Sequence, residues 1–577
     1  MNEFSVVTVL LAGIVVAAFA RRLGWNAPLV VLAVGLVASF FPGLKQVEFP
    51  PELILGIVLP PLLYSAALSS SYQDFRAAIQ PIIRLGVGLV LVTALVVGLT
   101  AYLLDPRLSF PAALLLGAVV APPDAVAASA VGRKLGLPRR VMTLLGGESL
   151  INDATSLTLY RLTLAAVYAT GAGLSEGLVV FVLAVAVGVA VGLGLAFIAQ
   201  VARSGLRDAT VDTVIGLMLP FVAYWIAEEY HGSGVLAVVA AGFYIGQASP
   251  STSVATRLHE EPIWASIDLM LESFTFALIG LQLRWVILDV HESDQSLARA
   301  LVVSFAVLAV ALLIRPLYIY ATELLARSKW MRRHSRETGA DKLTGRELLV
   351  TSWAGMRGVV TLAAAAAIPV MVGDRPFAER ATVQLAAYTV TIATLLIQGL
   401  TLPSLIRALK ISSDAEKEED DASEARVRLI ATRAAAAVVR GQVDAWSGVM
   451  GNTEAEKIAK WATQGLVARE AAAATLMHPE ADLTEADLLS IAEQGGGMAE
   501  RVLRGEEGLP SAEELRRRAA RLSSLITDLR TQMVQAQRAV VVAERNAGRL
   551  NETVMRRIMR ELDLEEETME ASWANRL

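Results

Sequence analysis

The feature that most restricts the fold of this chain is a series of apolar runs that fills roughly its first 410 residues. Most runs approach the roughly 20 residues that a helix needs to cross the hydrocarbon core of a bilayer. Only 19% of the residues are charged, which excludes an ordinary soluble domain. We therefore predict an all-α polytopic membrane protein with about thirteen transmembrane helices. The runs lie at residues 4–20, 26–42, 50–68, 80–104, 110–131, 141–170, 175–202, 209–230, 233–248, 262–286, 298–325, 346–372 and 380–409.

Lysine and arginine residues are concentrated in alternate loops between these runs. The fifth loop carries Arg133, Lys134, Arg139 and Arg140, whereas the sixth loop, Gly171–Ser175, has no basic residue. Because cytoplasmic loops carry an excess of basic residues, we expect the odd-numbered loops to face the cytoplasm. The N-terminus is then outside and the C-terminal part inside, which agrees with an odd number of spans.

Residues 411–577 differ from the membrane region in composition, because they are rich in alanine, glutamate and arginine. We predict a transmembrane domain over 1–410 and a helical cytoplasmic domain with a regulatory or assembly role over 411–577. From Leu515 onwards the apolar residues follow heptad spacing, which suits a helical hairpin or a coiled-coil dimer.

Motifs of several other function classes are missing from the sequence. There is no cysteine, which excludes disulfides and thiolate metal sites. We find no phosphate-binding glycine loop, no histidine cluster with metal-ligand spacing and no nucleophilic triad. We therefore expect no enzymatic activity, no cofactor and no nucleic-acid partner.

Three polar side chains interrupt the sixth apolar run, at Glu148, Asn152 and Asp153. Glu148 and Asn152 are four residues apart and share a helix face, and Asp153 follows about 100° further round the helix. Ionisable groups inside a span are costly, face the protein interior and usually mark function. The alternative is a structural polar contact that fixes this helix to its neighbours.

Two spans are predicted to be broken. The fifth contains Pro122 and Pro123 directly before Asp124, and the prolines remove backbone donors, so the helix must open there. The twelfth contains Gly355 and Gly358 on either side of an arginine. Interrupted helices in corresponding halves of a membrane protein indicate a transporter site between two repeats. A plain proline kink is the alternative for the fifth span.

Two arginines within the spans, Arg315 and Arg357, need counter-charges if they are buried. Glu148 is the predicted partner, with Arg315 the first choice and Arg357 the second. Glu272 is a weaker polar intrusion in the tenth span.

Asp124 and Asp153 could face each other at the broken helix. Carboxylates and freed carbonyls are hard oxygen ligands that suit a small cation, and Ser149 and the carbonyl of Pro123 could add neutral oxygens. A proton and a cation would then compete for one carboxylate. Such competition by itself produces exchange, because the site crosses the membrane with one ligand or the other. A cation channel gated by the helical tail is the alternative from another class.

Together these motifs resemble those of the first cation–proton antiporter family, the bacterial sodium/proton exchangers. The resemblance rests on Ala-Pro-Pro-Asp124, on Glu148-Ser-Leu-Ile-Asn152-Asp153, on Ile-Gly-Leu-Gln282 and on Gly355-Met-Arg357-Gly358. It implies two inverted repeats, a core that moves against a dimerisation domain, and a homodimer in the bacterial plasma membrane. It also implies roles for individual residues: carrier carboxylate for Asp153, electroneutral exchange for Asn152, cation binding for Asp124 and Ser149, and an ion pair with an arginine for Glu148.

Two positions depart from the family pattern. Pro123 stands where members often have threonine, so we expect altered geometry with binding through the carbonyl. Ser65 stands where many relatives have glutamate, so we expect one fewer acidic group near the site. The leading interpretation is electroneutral exchange of Na⁺ or Li⁺ for H⁺, with exchange of K⁺ for H⁺ as the alternative.

Overall fold

The fold is described by a computed structural model that covers residues 3–41, 54–168, 174–205, 208–292, 295–326, 343–372, 375–450, 455–456 and 512–570. In these residues the first twelve helices are α1 (Glu3–Arg22), α2 (Ala27–Ser39), α3 (Leu59–Ser69), α4 (Tyr72–Ala77), α5 (Ile79–Ile83), α6 (Val90–Leu104), α7 (Phe110–Val120), α8 (Ala125–Leu135), α9 (Arg139–Val167), α10 (Leu174–Gly205), α11 (Ala209–Glu229) and α12 (Gly234–Ala248). The next five are α13 (Val254–Glu292), α14 (Leu297–Ala326), α15 (Gly345–Trp353), α16 (Val359–Ala366) and α17 (Arg380–Leu409).

Six helical segments of the described chain are long and apolar enough to cross a membrane, and four shorter apolar helices accompany them. The prediction of an all-α, multi-pass membrane protein is confirmed. The count of thirteen spans stays a prediction. The basic loop 327–342, on which part of the predicted orientation rests, lies outside the described residues. The six segments are Ile79–Leu104, Val179–Gly205, Ala209–Glu229, Val254–His291, Leu297–Leu325 and Arg380–Leu409.

Two predicted spans have different limits in the structure. The run predicted as 346–372 is helical only to Ala366, because Pro369 disfavours the helical conformation of the residue before it. Met371–Val372 (β1) instead pairs with Arg375–Pro376 (β2) in a short antiparallel ladder. Helix α13 begins well before the predicted residue 262 and carries Pro262 inside it.

Small residues allow the helices of the apolar region to pack closely. A side chain at Gly117 of α7 would overlap the backbone of Ala94 of α6, and one at Gly192 of α10 would overlap Ala237 of α12. Close packing of this kind is a typical cause of helix association in membranes. Lipid tails are as apolar as the helix side chains, so the hydrophobic effect does not bring the helices together.

A buried ion cluster also joins three of these helices. The guanidinium of Arg203 on α10 donates to Asp212 on α11 and, at 2.6 Å, to Glu260 on α13. The side chain of Arg203 is 2% exposed, so both carboxylates offset the cost of burying its charge.

The chain divides into two compact units, of which the first comprises Met1–Ser249 and His259–Ser413. The second comprises Pro250–Leu258 and Asp414–Leu577, and its helices are α18 (Asp414–Met450), α19 (Ala512–Asn546) and α20 (Glu552–Glu570). The predicted heptad residues Leu529 and Met533 of α19 pack against Ala435 and Val439 of α18. In the described part of the tail, the apolar face is therefore covered within the chain, as in a helical hairpin.

Candidate functional site

The first break separates α7 from α8. Helix α7 ends at Val120, and the N–H of Ala121 still donates to the carbonyl of Gly117. Pro122 and Pro123 then supply no N–H group, so the last carbonyls of α7 lose their helical partners. Helix α8 resumes directly after Asp124.

The second break separates α15 from α16 and touches the first. The backbone N–H of Asp124 donates to the carbonyl of Met356 at 2.6 Å, which joins the two unwound segments. A Cβ atom at Gly358, which caps α16, would overlap the carboxylate of Asp124. Glycine at this position therefore lets the carboxylate lie at the N-terminus of α16, where the helix dipole favours negative charge.

The guanidinium of Arg357 satisfies carbonyls at both breaks. Its Nε donates to the carbonyl of Val120 at 3.2 Å, and its Nη1 donates to the carbonyl of Gly355. Its own N–H donates to Thr394 Oγ1 on α17 at 3.0 Å. A cation at the C-terminal ends of two half-helices offsets their exposed partial charges. No sequence motif predicted that Thr394 would accept this hydrogen bond from Arg357.

Glu148 of α9 forms an ion pair with Arg315 of α14. Arg315 Nη2 donates to Glu148 Oε2 at 2.8 Å, Nη1 donates to Oε1, and Nε donates to the carbonyl of Thr351 at 2.9 Å. Both side chains are 2% exposed. Arg315 is the partner that the sequence favoured for Glu148, while Arg357 donates to carbonyl groups instead.

Asn152 and Asp153 lie one turn further along α9. Asn152 Nδ2 donates to the carbonyl of Pro123 at 2.7 Å, which fixes α9 to the first break. Asp153 is 6% exposed and lies within electrostatic range of Asp124. Ser149, one turn before Asp153 on the same face, is half-buried. The structure thus brings carboxylates and a carbonyl to the breaks, and these are hard oxygen donors suited to an alkali cation.

Asp153 differs from Glu148 in its partners. Within the described chain no arginine or lysine forms an ion pair with Asp153, and the charged group that acts on it is another carboxylate, Asp124. Two like charges at a buried site favour the uptake of a proton or a cation.

A carboxylate that the sequence reading missed lies beside Ser65. Ser65 Oγ on α3 donates to Asp268 Oδ2 on α13 at 2.6 Å. Position 65 itself carries no acidic group, but α13 places a carboxylate in hydrogen-bond contact with it. Glu272 follows one turn later on α13 and interacts electrostatically with Asp268 and Asp124. The spacing of Asp268 and Glu272 by four residues in an apolar run was the available signal.

Comparison with known proteins gives a consistent result. The family model described as sodium/hydrogen exchanger, transmembrane, matches residues 6–408. An uncharacterised Na(+)/H(+) exchanger of Mycobacterium tuberculosis (strain ATCC 25618 / H37Rv) is 28% identical over 568 residues, which cover 97% of this chain and 95% of the relative. A sodium, potassium, lithium and rubidium/H(+) antiporter of Bacillus subtilis (strain 168) is 30% identical over 416 residues, 70% of this chain and 62% of that protein.

Solved structures show the same fold. The sodium proton antiporter MjNhaP1 from Methanocaldococcus jannaschii superposes with a TM-score of 0.55 and 19% sequence identity. The superposition covers 70% of this chain and 97% of MjNhaP1.

Proposed function

This chain belongs to the sodium/hydrogen exchanger family, and we propose that it exchanges Na⁺ or Li⁺ for H⁺ at Asp153, across the bacterial plasma membrane. The observation that supports this role most directly is the contrast within α9. Glu148 is neutralised by Arg315, whereas the buried Asp153 has a carboxylate, Asp124, as its charged neighbour. A buried carboxylate without a fixed counter-charge must take up a proton or a cation.

Competition at Asp153 accounts for exchange that is driven by the ion gradients themselves, with no separate energy source. When Asp153 holds a proton it is neutral, and Asp124 is then the one carboxylate of the proposed site that still attracts a cation. When a cation binds, its positive charge lowers the proton affinity of the carboxylate. If the site changes its exposure to the two sides only when it is loaded, each cation that moves one way is balanced by a proton moving the other way.

The pair Asn152–Asp153 supports a stoichiometry of one cation for one proton. Asn152 carries no ionisable proton, and its amide is committed to the carbonyl of Pro123. The carboxylate of Asp124 lies at the N-terminus of α16, where the helix dipole favours its charged form, so we assign it no part in the switch. One carboxylate is then left to switch, so one proton replaces one monovalent cation and exchange is electroneutral.

The coordination proposed for the cation combines Asp153 and Asp124 with Ser149 and the carbonyl of Pro123. Glu148 and Arg315 hold α9 to α14, and Arg357 holds the two breaks together. The protein functions as a homodimer with its N-terminus outside and residues 411–577 in the cytoplasm, where the helical tail has a regulatory or assembly role.

Exchange of K⁺ for H⁺ by the same mechanism is the second candidate. The Bacillus subtilis relative is named for sodium, potassium, lithium and rubidium, which favours a broader choice of cation. A cation channel gated by the tail is the more distant alternative. A channel would conduct current under voltage without obligatory proton movement.

The test is exchange in proteoliposomes that contain a pH-sensitive dye. With an imposed pH gradient, addition of Na⁺ or Li⁺ is expected to dissipate the gradient, and K⁺ decides between the two candidates. The rate is expected to stay the same when the membrane potential is clamped at different values, because electroneutral exchange moves no net charge. Failure of Na⁺, Li⁺ and K⁺ alike to move protons would overturn the proposal. Voltage-driven cation current without proton movement would support the channel.

A further inference from the structure

Helices α3 and α13 are joined by a polar contact that does not involve Asp153, the proposed carrier carboxylate. Ser65 Oγ donates to Asp268 Oδ2 at 2.6 Å, a distance typical of a hydroxyl that donates to a carboxylate. The neighbouring residue Tyr64 packs against Trp264, one turn before Asp268, with ring centroids 5.2 Å apart. The two contacts fix the orientation of the Asp268 carboxylate relative to α3.

The other oxygen of this carboxylate, Asp268 Oδ1, is buried and has no hydrogen-bond partner within the described chain. A buried carboxylate oxygen without a donor carries a desolvation cost that no hydrogen bond compensates. Ser65 occupies Oδ2, so Oδ1 is the atom that remains available. A cation that contacts Oδ1 would offset this cost.

Asp268 interacts electrostatically with a residue at one end of α8 and, through Glu272, with a residue of the proposed carrier site. Glu272, one turn later, interacts electrostatically with Asp268 and with Asp124, which is itself a neighbour of Asp153. Asp268 and Glu272 also interact with Arg133, at the end of α8. The sequence predicts that this end of α8 faces the cytoplasm. Electrostatic interactions therefore link the Asp268–Glu272 pair both with Arg133 and with the break at Asp124.

We propose that Asp268 is the entry carboxylate for alkali cations on the cytoplasmic side and sets the apparent affinity for cytoplasmic cation. Ser65 is its positioning residue. The inference rests on the proposed exchange function but concerns a different residue and a different kinetic constant. Asp268 attracts the cation before it reaches Asp153 and takes no part in the competition with the proton there.

Removal of the charge of Asp268 should therefore affect affinity more than turnover. A nearby unit charge changes the free energy of a partly solvated cation enough to alter its binding about tenfold. Asp268→Asn is expected to raise the apparent KM for cytoplasmic Na⁺ about tenfold and to change Vmax by less than about twofold. Ser65→Ala keeps the charge but frees the carboxylate, so a rise of about two- to threefold is expected.

The experiment measures initial exchange rates against Na⁺ concentration in everted and in right-side-out vesicles. Asp289→Asn is the matched control, because Asp289 lies near the other end of α13 and its side chain is 42% exposed. The KM rise for Asp268→Asn is expected only when Na⁺ is supplied at the cytoplasmic face. In the double variant Ser65→Ala/Asp268→Asn, the KM is expected to equal that of Asp268→Asn, because Ser65 acts through the carboxylate.

An unchanged cytoplasmic KM in Asp268→Asn would overturn the inference, as would an equal rise at both faces. A structural role would instead lower Vmax and the thermal midpoint while leaving KM in place, and this result would also overturn it. Ser65→Ala keeps every charge and serves as the readout if Asp268→Asn fails to fold. Absence of exchange in the wild type would contradict the proposed function itself, which separates the two failures.

Discussion

Glu148 and Asp153 lie five residues apart on helix α9, are both buried, and have opposite electrostatic surroundings. Glu148 receives two hydrogen bonds from the guanidinium of Arg315, which is fixed by a third bond to the carbonyl of Thr351. Asp153 interacts with the like charge of Asp124. One helix therefore carries one carboxylate with a permanent counter-charge and one whose counter-charge, in the proposed mechanism, comes from solution.

The difference separates stability from transport. A paired buried carboxylate is costly to disturb and has nothing to gain from a mobile ion. An unpaired one is neutral only when it is loaded with a proton or a cation, and in the proposed mechanism loading is therefore a condition for movement. The comparison predicts that neutralising the two residues will have different consequences.

The largest effect is expected from Asp153→Asn. Asparagine has the same shape but neither charge nor titratable proton, so cation-driven proton movement should fall by at least about a hundredfold. The measurement is dye-monitored exchange in proteoliposomes, with Asp289→Asn as the control of equal charge change. The thermal midpoint should stay the same or rise, because the variant removes an unpaired buried charge. Exchange like that of the wild type would remove Asp153 from the carrier role.

A smaller effect, mainly on stability, is expected from Glu148→Gln. The change leaves the guanidinium of Arg315 buried without its anion, which costs about 3–5 kcal/mol. The thermal midpoint in detergent should fall by several degrees, with the cation KM of the remaining folded protein within about twofold of wild type. The exposed Glu261→Gln is the control, with a change near zero.

The double variant Glu148→Leu/Arg315→Met sharpens this prediction. Apolar side chains of similar volume leave no unpaired charge, so stability should recover towards that of the wild type. If Glu148→Gln left the midpoint unchanged but raised the cation KM, Glu148 would belong to the binding site and the comparison would fail.

The smallest effect is expected in the tail, where ion pairs are close to solvent. Glu544 accepts a hydrogen bond from Arg549 Nε at 2.9 Å, and the side chain of Arg549 is 55% exposed. This bond, with the charges of Arg549 and Arg426, lowers the pKa of Glu544 below its ordinary value of 4.5. The stabilisation is present above that value and is lost as the pH falls through the lowered pKa.

Glu544→Gln should therefore lower the thermal midpoint at pH 7 by only on the order of 1 °C. The difference between variant and wild type should vanish at a pH below the lowered pKa. Differential scanning fluorimetry across this pH range measures both. A difference of many degrees at pH 7 would show that a pair with one exposed partner stabilises the tail as strongly as the fully buried pair stabilises α9.

The membrane helices and the positions of both breaks could be predicted from sequence for simple physical reasons. A span needs a long apolar run, and Pro122 and Pro123 remove backbone donors wherever they lie in a helix. Glu148 could be given an arginine partner because few charges lie inside spans, so few partners exist for each. These features depend on local composition or on a short inventory of buried charges.

Contacts between distant segments could not be predicted in the same way. The hydrogen bond from Asp124 to the carbonyl of Met356 uses backbone atoms, which every residue has, so no residue type marks it. Nothing at position 65 predicted the carboxylate beside Ser65, because this carboxylate comes from Asp268 on another helix. The end of α16 was placed too late because Pro369 lies inside a run that is otherwise continuously apolar.

The central claim is that a cation and a proton compete for Asp153, and the dependence of the apparent KM on pH tests it most directly. Initial rates are measured in proteoliposomes over a range of Na⁺ concentrations at successive pH values on the cation side. Competition predicts that, in the acidic range, the KM rises about tenfold for each unit of pH lost while Vmax at saturating Na⁺ stays constant. A KM that is independent of pH, with a Vmax that falls on acidification, would contradict the account.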